Sequence, residues 1–127
     1  MSEGIPARDF GPVSIEKMKT MAALLQDPNP IHWDVEAVKQ LGMGDRPVNQ
    51  GPINMSFLVN TVTSWTGDPG ALREVVIRYQ ANVFGGDVVH CEGSVESEEG
   101  GLATCTVTAS VDGNPVITGT AIVSRGP

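Results

Sequence analysis

Residues 51–65 read GPINMSFLVNTVTSW, and this stretch decides the fold. Gly51 and Pro52 begin a predicted helix, because a proline in the first turn lacks only an N–H that no helical carbonyl would accept. Apolar side chains then fall on nearly every side, which predicts a buried helix; they are Ile53, Met55, Phe57, Leu58, Val59, Val62 and Trp65. The helix ends at the breaker residues 67–70. A helix of this kind needs a sheet to cover it.

After Ala71 the apolar period changes from that of a helix to that of a strand. The alternation predicts four successive antiparallel strands, the first over residues 75–83 and the last over residues 116–124. Turns are predicted at residues 85–87, 98–101 and 112–115. A strongly curved sheet wrapped around the helix would bury both elements. The predicted class is therefore α+β, with one domain over residues 1–127.

Two shorter helices are predicted before the buried one. The first runs from Ser14, as N-cap, to Leu25, with apolar residues at the three-four spacing of an amphipathic helix. Residues 27–30, Asp-Pro-Asn-Pro, end it because each proline removes a donor and restricts its predecessor. The second runs from Asp34, as cap, to Leu41.

Composition excludes several classes of protein. The chain has 127 residues with 40% hydrophobic and 18% charged, which is globular, and it lacks an apolar run long enough for a membrane span. The net charge is −7 and no basic stripe is present, which argues against a nucleic-acid partner. The first residues have neither the basic nor the apolar region of a signal peptide, so we expect a cytoplasmic protein.

The two cysteines, Cys91 and Cys105, lie in predicted strands and lack metal-type spacing. We expect both to be buried and reduced.

Residues 27–32, Asp-Pro-Asn-Pro-Ile-His, place a carboxylate, a carboxamide and an imidazole on backbone stiffened by two prolines. A rigid loop of this kind suits catalysis, because it holds the side chains in fixed positions. Asp27 with His32 could hold a water molecule and exchange protons with a substrate. The alternative fits the spacing equally well: a helix-ending turn in which Asp27 and Asn29 cap backbone groups and His32 is solvated.

Gly51 and Ser56 form a second candidate. A helix N-terminus presents unpaired N–H groups to a carbonyl oxygen that gains negative charge. Spacing alone favours the simpler interpretation, in which Gly51 caps the helix and Ser56 allows another backbone to approach. The sequence has no Cys/His cluster, phosphate-binding glycine loop or serine–base pair, which argues against metal, nucleotide and triad chemistry.

The string Asp27-x-Asn29-Pro30-Ile31-His32 resembles the signature of the MaoC-like (R)-specific enoyl-thioester hydratases and dehydratases. The resemblance covers roughly residues 10–124. It extends through His32-Trp33-Asp34 and Ala37, Gly51 with Ser56, Thr63-Ser64-Trp65-x-Gly67-Asp68-Pro69-Gly70, and Arg78-Tyr79-x-x-Asn82-Val83-Phe84-x-Gly86-Asp87. The His-Trp-Asp and Ser-Trp-x-Gly-Asp-Pro-Gly strings are similar to the dehydratase subunits of mycobacterial type II fatty-acid synthesis.

This resemblance implies a hot-dog fold, a dimer paired edge to edge, and a thioester tunnel between protomers. Asp27 and His32 would be the catalytic pair, acting on an enoyl or 3-hydroxyacyl thioester of coenzyme A or acyl carrier protein without a cofactor. Asn29 would orient the loop, an amide near Gly51 would polarise the thioester carbonyl, and Ser56 would support the site.

Three features depart from the family pattern. Gln50 stands where the family often has histidine, and Gln26 stands where a small glycine is common. Both glutamines are expected to border the acyl pocket. The usual first strand is expected to be reduced to a few residues around 8–13.

Three alternatives remain within the same fold. A hot-dog thioesterase would not need the Asp–Asn–His loop, and an acyl-binding module would not need a paired acid and base. The chain could also be one subunit of a heteromeric hydratase, including one for bulky or steroid-like acyl groups. Retention of Asp27 and His32 favours an active subunit over a non-catalytic one.

Overall fold

A computed structural model describes residues 3–24 and 29–125. The elements in chain order are β1 (Gly4–Phe10), α1 (Ile15–Leu24), α2 (Val35–Gln40), α3 (Gly51–Thr66), β2 (Leu72–Tyr79), β3 (Val89–Glu99), β4 (Leu102–Val111) and β5 (Asn114–Ser124). Short 3-10 turns at Pro30–His32 and Pro69–Ala71 precede α2 and β2. The predicted order of three helices followed by four strands is confirmed within the described residues.

The strands form one antiparallel sheet in the order β1-β3-β4-β5-β2. The sheet curves around α3, which contacts β1, β2, β3 and β4. This arrangement is the hot-dog fold, and the predicted α+β class is confirmed.

The prediction for the first strand was wrong. β1 extends over Gly4–Phe10 and pairs with β3, rather than being confined to residues 8–13. Its register shifts between Ile5 and Arg8, and Pro6 lies inside that irregularity. An edge strand tolerates proline there because no partner needs its missing N–H, but the bulge removes the alternation that predicts a strand.

The first predicted strand of the sheet ends earlier than expected. β2 stops at Tyr79, because the N–H groups of Gln80 and Ala81 both donate to the Val116 carbonyl, at 2.8 and 3.2 Å. Two successive residues facing one partner interrupt the ladder. Val83 is nevertheless buried, as its apolar spacing predicts.

Helix α3 buries one stripe rather than its whole circumference. The fully buried residues are Asn54, Leu58, Thr61 and Val62. The remaining apolar side chains are only half-buried, because a single sheet covers one face; they are Ile53, Met55, Phe57, Val59 and Trp65. No helix in the described ranges, α3 included, is long and apolar enough to cross a membrane.

The predicted helix caps are confirmed. Ser14 Oγ accepts a hydrogen bond from the Lys17 N–H at 3.2 Å, and Asp34 Oδ1 accepts from the Glu36 N–H at 3.0 Å. Each cap satisfies one of the unpaired donors at a helix start.

Both cysteines are buried and free, as predicted. Cys91 faces Ala109 in the β3–β4 register whereas Cys105 faces Val95, so the two thiols are not cross-strand partners. Burial raises the pKa of the Cys91 thiol to about 11 and also raises the pKa of Cys105. Burial and the raised pKa both disfavour the reactive thiolate form at neutral pH.

We expect a thiol reagent to titrate almost no cysteine in the native protein and two per chain after denaturation. The physical reason is the combination of burial and a raised thiol pKa. A disulfide in purified, unreduced protein, or rapid reaction of either thiol under native conditions, would contradict this prediction.

Candidate active site

The segment Pro47–Gln50, which we call the pre-α3 segment, is buried along its whole length. Its backbone bonds to the loop after β2 on one side and to the 3-10 turn at Pro30–His32 on the other. The bonds are Gly85 N–H to Pro47 O (2.9 Å), Asn49 N–H to Val83 O (2.6 Å) and Val48 N–H to Ile31 O (2.7 Å). The start of α3 and the His32 loop are therefore held by one piece of backbone.

His32 is only 8% exposed, and its Nδ1 lies 2.6 Å from the Val48 carbonyl oxygen. A carbonyl only accepts, so Nδ1 carries the hydrogen in this contact. In the neutral ring Nε2 is then the unprotonated nitrogen, the one able to take a proton. The alternative in which His32 is solvated is wrong for this residue.

Asn29 caps the 3-10 turn, its Oδ1 accepting from the Ile31 N–H at 3.2 Å. This bond is the capping expected of a turn. Asp27 and Gln26 lie outside the described residues.

Gly51 is the first residue of α3, and its N–H is the donor left over at the helix start. Pro52 has no N–H, and the Ile53 and Asn54 N–H groups both donate to the Gln50 carbonyl, at 3.1 and 3.2 Å. Within the described ranges the Gly51 N–H has no hydrogen-bond partner. This N–H and the positive end of the helix dipole together suit an oxygen that gains negative charge.

Tyr79, which sequence reasoning did not single out, holds Gly51 from the other side. Its hydroxyl donates to the Gly51 carbonyl at 2.8 Å. A Cβ at position 51 would come within 3.1 Å of that hydroxyl oxygen, so glycine allows the close approach. The resemblance to the family includes Arg78-Tyr79 and could have drawn attention to this residue. The alternation of apolar residues along the strand only places Tyr79 on an apolar face.

Gln50 lies between α1 and α3 and is 1% exposed. Its Nε2 donates to the Met18 carbonyl of α1 at 2.8 Å. Its Oε1 is buried without a hydrogen-bond partner in the part of the chain described here. Gln50 thus ties α1 to the residue that precedes Gly51.

A groove runs between α1 and the first turns of α3. Its larger part, the outer groove, has a volume of about 350 Å³; its lining residues are Lys17, Thr20, Met21, Leu24, Pro52, Ile53 and Ser56. Ser56 forms part of this wall, and its hydroxyl donates to the Ile53 carbonyl at 2.5 Å. The groove is largely apolar, and Pro52, the residue after Gly51, forms part of its wall.

The inner pocket is a second space of about 240 Å³ on the other side of Lys17 and Ile53, which line both spaces. The stacked rings of Phe10 and Phe57, 5.0 Å apart, form part of its wall, and Asn49 forms another part.

His90, the other histidine, differs from His32 in its exposure to solvent and in its hydrogen-bond partner. It is exposed on β3 and its Nδ1 lies 2.7 Å from Asp9 Oδ1, a contact that raises the pKa of His90. Among the described residues no group of three His, Cys, Asp or Glu side chains is placed to hold a metal ion.

The fold and the site define a hot-dog protein with a buried histidine that contacts the segment preceding the N-terminus of its central helix. Residues 5–115 match the family described as MaoC like domain, so the chain belongs to the MaoC-like domain family. A search of curated proteins finds no match.

Solved structures share the fold. The (R)-hydratase from A. caviae involved in PHA biosynthesis aligns with a TM-score of 0.86 and 22% identity, covering 98% of this chain and 96% of that one. A MaoC-like dehydratase aligns at 0.92 and 25% identity, over 99% of this chain but 40% of that one. The ChsH1-ChsH2 complex from Mycobacterium tuberculosis aligns at 0.85 and 19% identity, over 98% and 97%.

We expect Tyr79→Phe to lower both stability and activity. Loss of the bond to Gly51 should cost about 1 kcal/mol in the free energy of unfolding, and release of the α3 start should lower kcat several-fold. The measurements are denaturant unfolding and turnover of an acyl thioester.

The matched control is Thr118→Val, which removes the bond from Gln80 Nε2 to Thr118 Oγ1 on the neighbouring strand without touching α3. Equal losses of activity in the two variants would contradict a specific role for Tyr79.

Proposed function

We propose that this protein is a hydro-lyase that adds water to trans-2-enoyl thioesters with (R) specificity, or catalyses the reverse dehydration. Membership of the MaoC-like family supports hydration or dehydration of acyl thioesters in general. The finer proposal rests on one observation: the pre-α3 segment holds both His32 and the start of α3. Within it, the Val48 carbonyl orients the His32 ring, and the Gly51 N–H follows two residues after Asn49.

The reaction needs a base and an oxyanion donor. When the oxygen of water bonds to C3, the electrons of the C2–C3 double bond move toward the thioester carbonyl oxygen, which becomes enolate-like. The Gly51 N–H and the α3 dipole are suited to that charge. Protonation of C2 then completes the addition, and no other co-reactant is consumed.

In this proposal His32 Nε2 takes a proton from the water, while the carboxylate of Asp27 holds the same water. The proton taken from water is returned to C2, so atoms and charge balance over the cycle. Asn29 supports that loop through its cap, and Ser56 supports the wall of the outer groove.

We expect Asp27→Asn and His32→Ala each to lower turnover by about two to four powers of ten, because each removes one half of the proton-transfer pair. The measurement is the ultraviolet absorbance of the enoyl-thioester chromophore over a panel of acyl-CoAs, with circular dichroism to verify the fold.

His90→Ala and Asp112→Asn are the matched controls, since His90 is on the exposed face and Asp112 lies in the β4–β5 turn. Both should retain normal turnover. Near-normal activity of either site variant would contradict the assignment. Release of free coenzyme A thiol without formation of a 3-hydroxyacyl thioester would favour a thioesterase instead.

We also propose that the active protein is a dimer, with itself or with a related hot-dog chain. Five apolar residues of α3 are only half-buried, and Val76 on the edge strand β2 is 58% exposed. An edge strand offers unpaired backbone groups to a partner. Two of the similar structures are complexes by their descriptions, ChsH1-ChsH2 and HadBC.

We expect sedimentation at micromolar concentration to give about twice the 13.4 kDa of one chain, and activity to fall on dilution. The reason is that the uncovered side of α3 and the β2 edge need a partner. A stable and active species of one-chain mass would contradict the proposal, whereas an inactive one that regains activity with a related chain would identify a heteromer.

A further inference from the structure

We propose that the side-chain hydrogen bond between Asn49 and Asn54, which we call the asparagine staple, positions the Gly51 N–H for catalysis. The inference rests on the proposed function, to which it adds two positioning residues. Three features support it: the place of the two residues at the helix start, the backbone donor that their bond leaves free, and the polar atom that they bury.

The asparagine staple spans the first turn of α3. Asn49 lies one residue before the N-cap, and Asn54 is the fourth residue of the helix. Two apolar side chains commonly pack against each other at these positions and fix the angle at which the chain enters a helix. Here Asn49 Nδ2 instead donates to Asn54 Oδ1 at 2.6 Å, so a directional bond sets that angle.

This bond leaves the first backbone donor of α3 unused. An N-cap side chain ordinarily accepts a hydrogen bond from one of the first backbone N–H groups of a helix. Gln50, the N-cap residue of α3, forms no such bond, and its Nε2 donates to the Met18 carbonyl at 2.8 Å. The asparagine staple uses side-chain atoms alone, so it restrains the first turn without taking up the Gly51 N–H.

The asparagine staple lies in the protein interior, where it does not favour stability. Asn49 and Asn54 are 3% and 4% exposed, and Asn49 Oδ1 is buried without a hydrogen-bond partner in the part of the chain described here. A buried acceptor without a partner destabilises a protein, whereas a pair of apolar side chains of similar shape would not. Local violations of this kind are expected at functional sites. A positioning role therefore explains the pair better than a contribution to stability.

Asn49 connects the staple to the rest of the site. Its N–H donates to the Val83 carbonyl at 2.6 Å, and the carbonyl of the preceding residue, Val48, holds His32. Gly51 follows two residues after Asn49. A shift of the first turn of α3 by about 1 Å would misplace the Gly51 N–H against a carbonyl oxygen, and misplacement of that size can lower a rate about a hundredfold.

The test replaces both asparagines by leucine, which keeps the branched shape and removes the polar atoms. Asn49→Leu and Asn54→Leu alone should each lower the midpoint of urea unfolding, because each leaves a buried amide without its partner. In the double variant the midpoint should recover, while kcat stays about tenfold to a hundredfold below that of the unmodified protein. KM should change less than kcat, because the bond to the substrate oxygen strengthens as charge develops there.

Two further variants keep this comparison decisive. Asn49→Ala with Asn54→Ala removes the same polar atoms without the bulk of leucine, and it should show the same loss of kcat. Thr61→Val is the matched control, because it removes a buried side-chain bond in the middle of the same helix, from Thr61 Oγ1 to the Phe57 carbonyl at 2.8 Å. It should leave kcat unchanged. Recovery of kcat together with stability in the leucine pair, or an equal loss of kcat in Thr61→Val, would overturn the proposal.

A second readout does not depend on turnover. The carbonyl stretch of bound butanoyl-CoA, a saturated thioester, moves to lower frequency in infrared difference spectra when a well-placed N–H donates to the oxygen. We expect this shift in the unmodified protein and in Thr61→Val, and a smaller shift in the leucine pair. No shift in the unmodified protein, or the same shift in the leucine pair, would overturn the proposal.

The two readouts together separate this inference from the proposed function. A carbonyl shift that depends on the asparagine staple, without hydration of any enoyl thioester, would support the positioning role and reject the proposed function. Hydration at the same kcat in the unmodified protein and in the leucine pair would support the proposed function and reject the positioning role.

Discussion

The hydrogen bond between His32 Nδ1 and the Val48 carbonyl is the contact on which the site depends. It buries the imidazole, places the hydrogen on Nδ1, and leaves Nε2 as the basic nitrogen of the neutral ring. The Val48 N–H in turn donates to the Ile31 carbonyl. The same backbone unit thus holds the loop at both its main chain and its side chain, which restricts the imidazole to one orientation.

The start of α3 is fixed by three different parts of the chain. The Asn49 N–H bonds to Val83 after β2, the Gln50 side chain bonds to Met18 in α1, and the Gly51 carbonyl accepts from Tyr79 at the end of β2. These bonds reach three separate segments of the chain, so more than one neighbour restrains the start of α3. A donor held this way is preorganised, and it loses little energy in reorientation when charge develops on a substrate oxygen.

Side-chain patterns predicted the helices and most of the sheet, because burial imposes a period that residues such as Leu58 and Val107 reveal. They also marked His32, Asn29 and Gly51. They could not reveal the Val48 contact, since it uses a backbone carbonyl that every residue possesses. Tyr79 was missed for a related reason: its hydroxyl crosses from β2 to α3, a contact that depends on tertiary curvature.

Gln50 shows how a departure from the family pattern can leave the framework intact. A histidine at this position could donate to the Met18 carbonyl, but its ring changes charge near neutral pH. The glutamine amide donates in the same way and does not titrate, so the tie between α1 and α3 is independent of pH. Because α1 carries one wall of the outer groove, this tie holds that wall against the start of α3. The tie between α1 and α3 therefore contains no ionisable group, and His32 is the buried imidazole of the described residues.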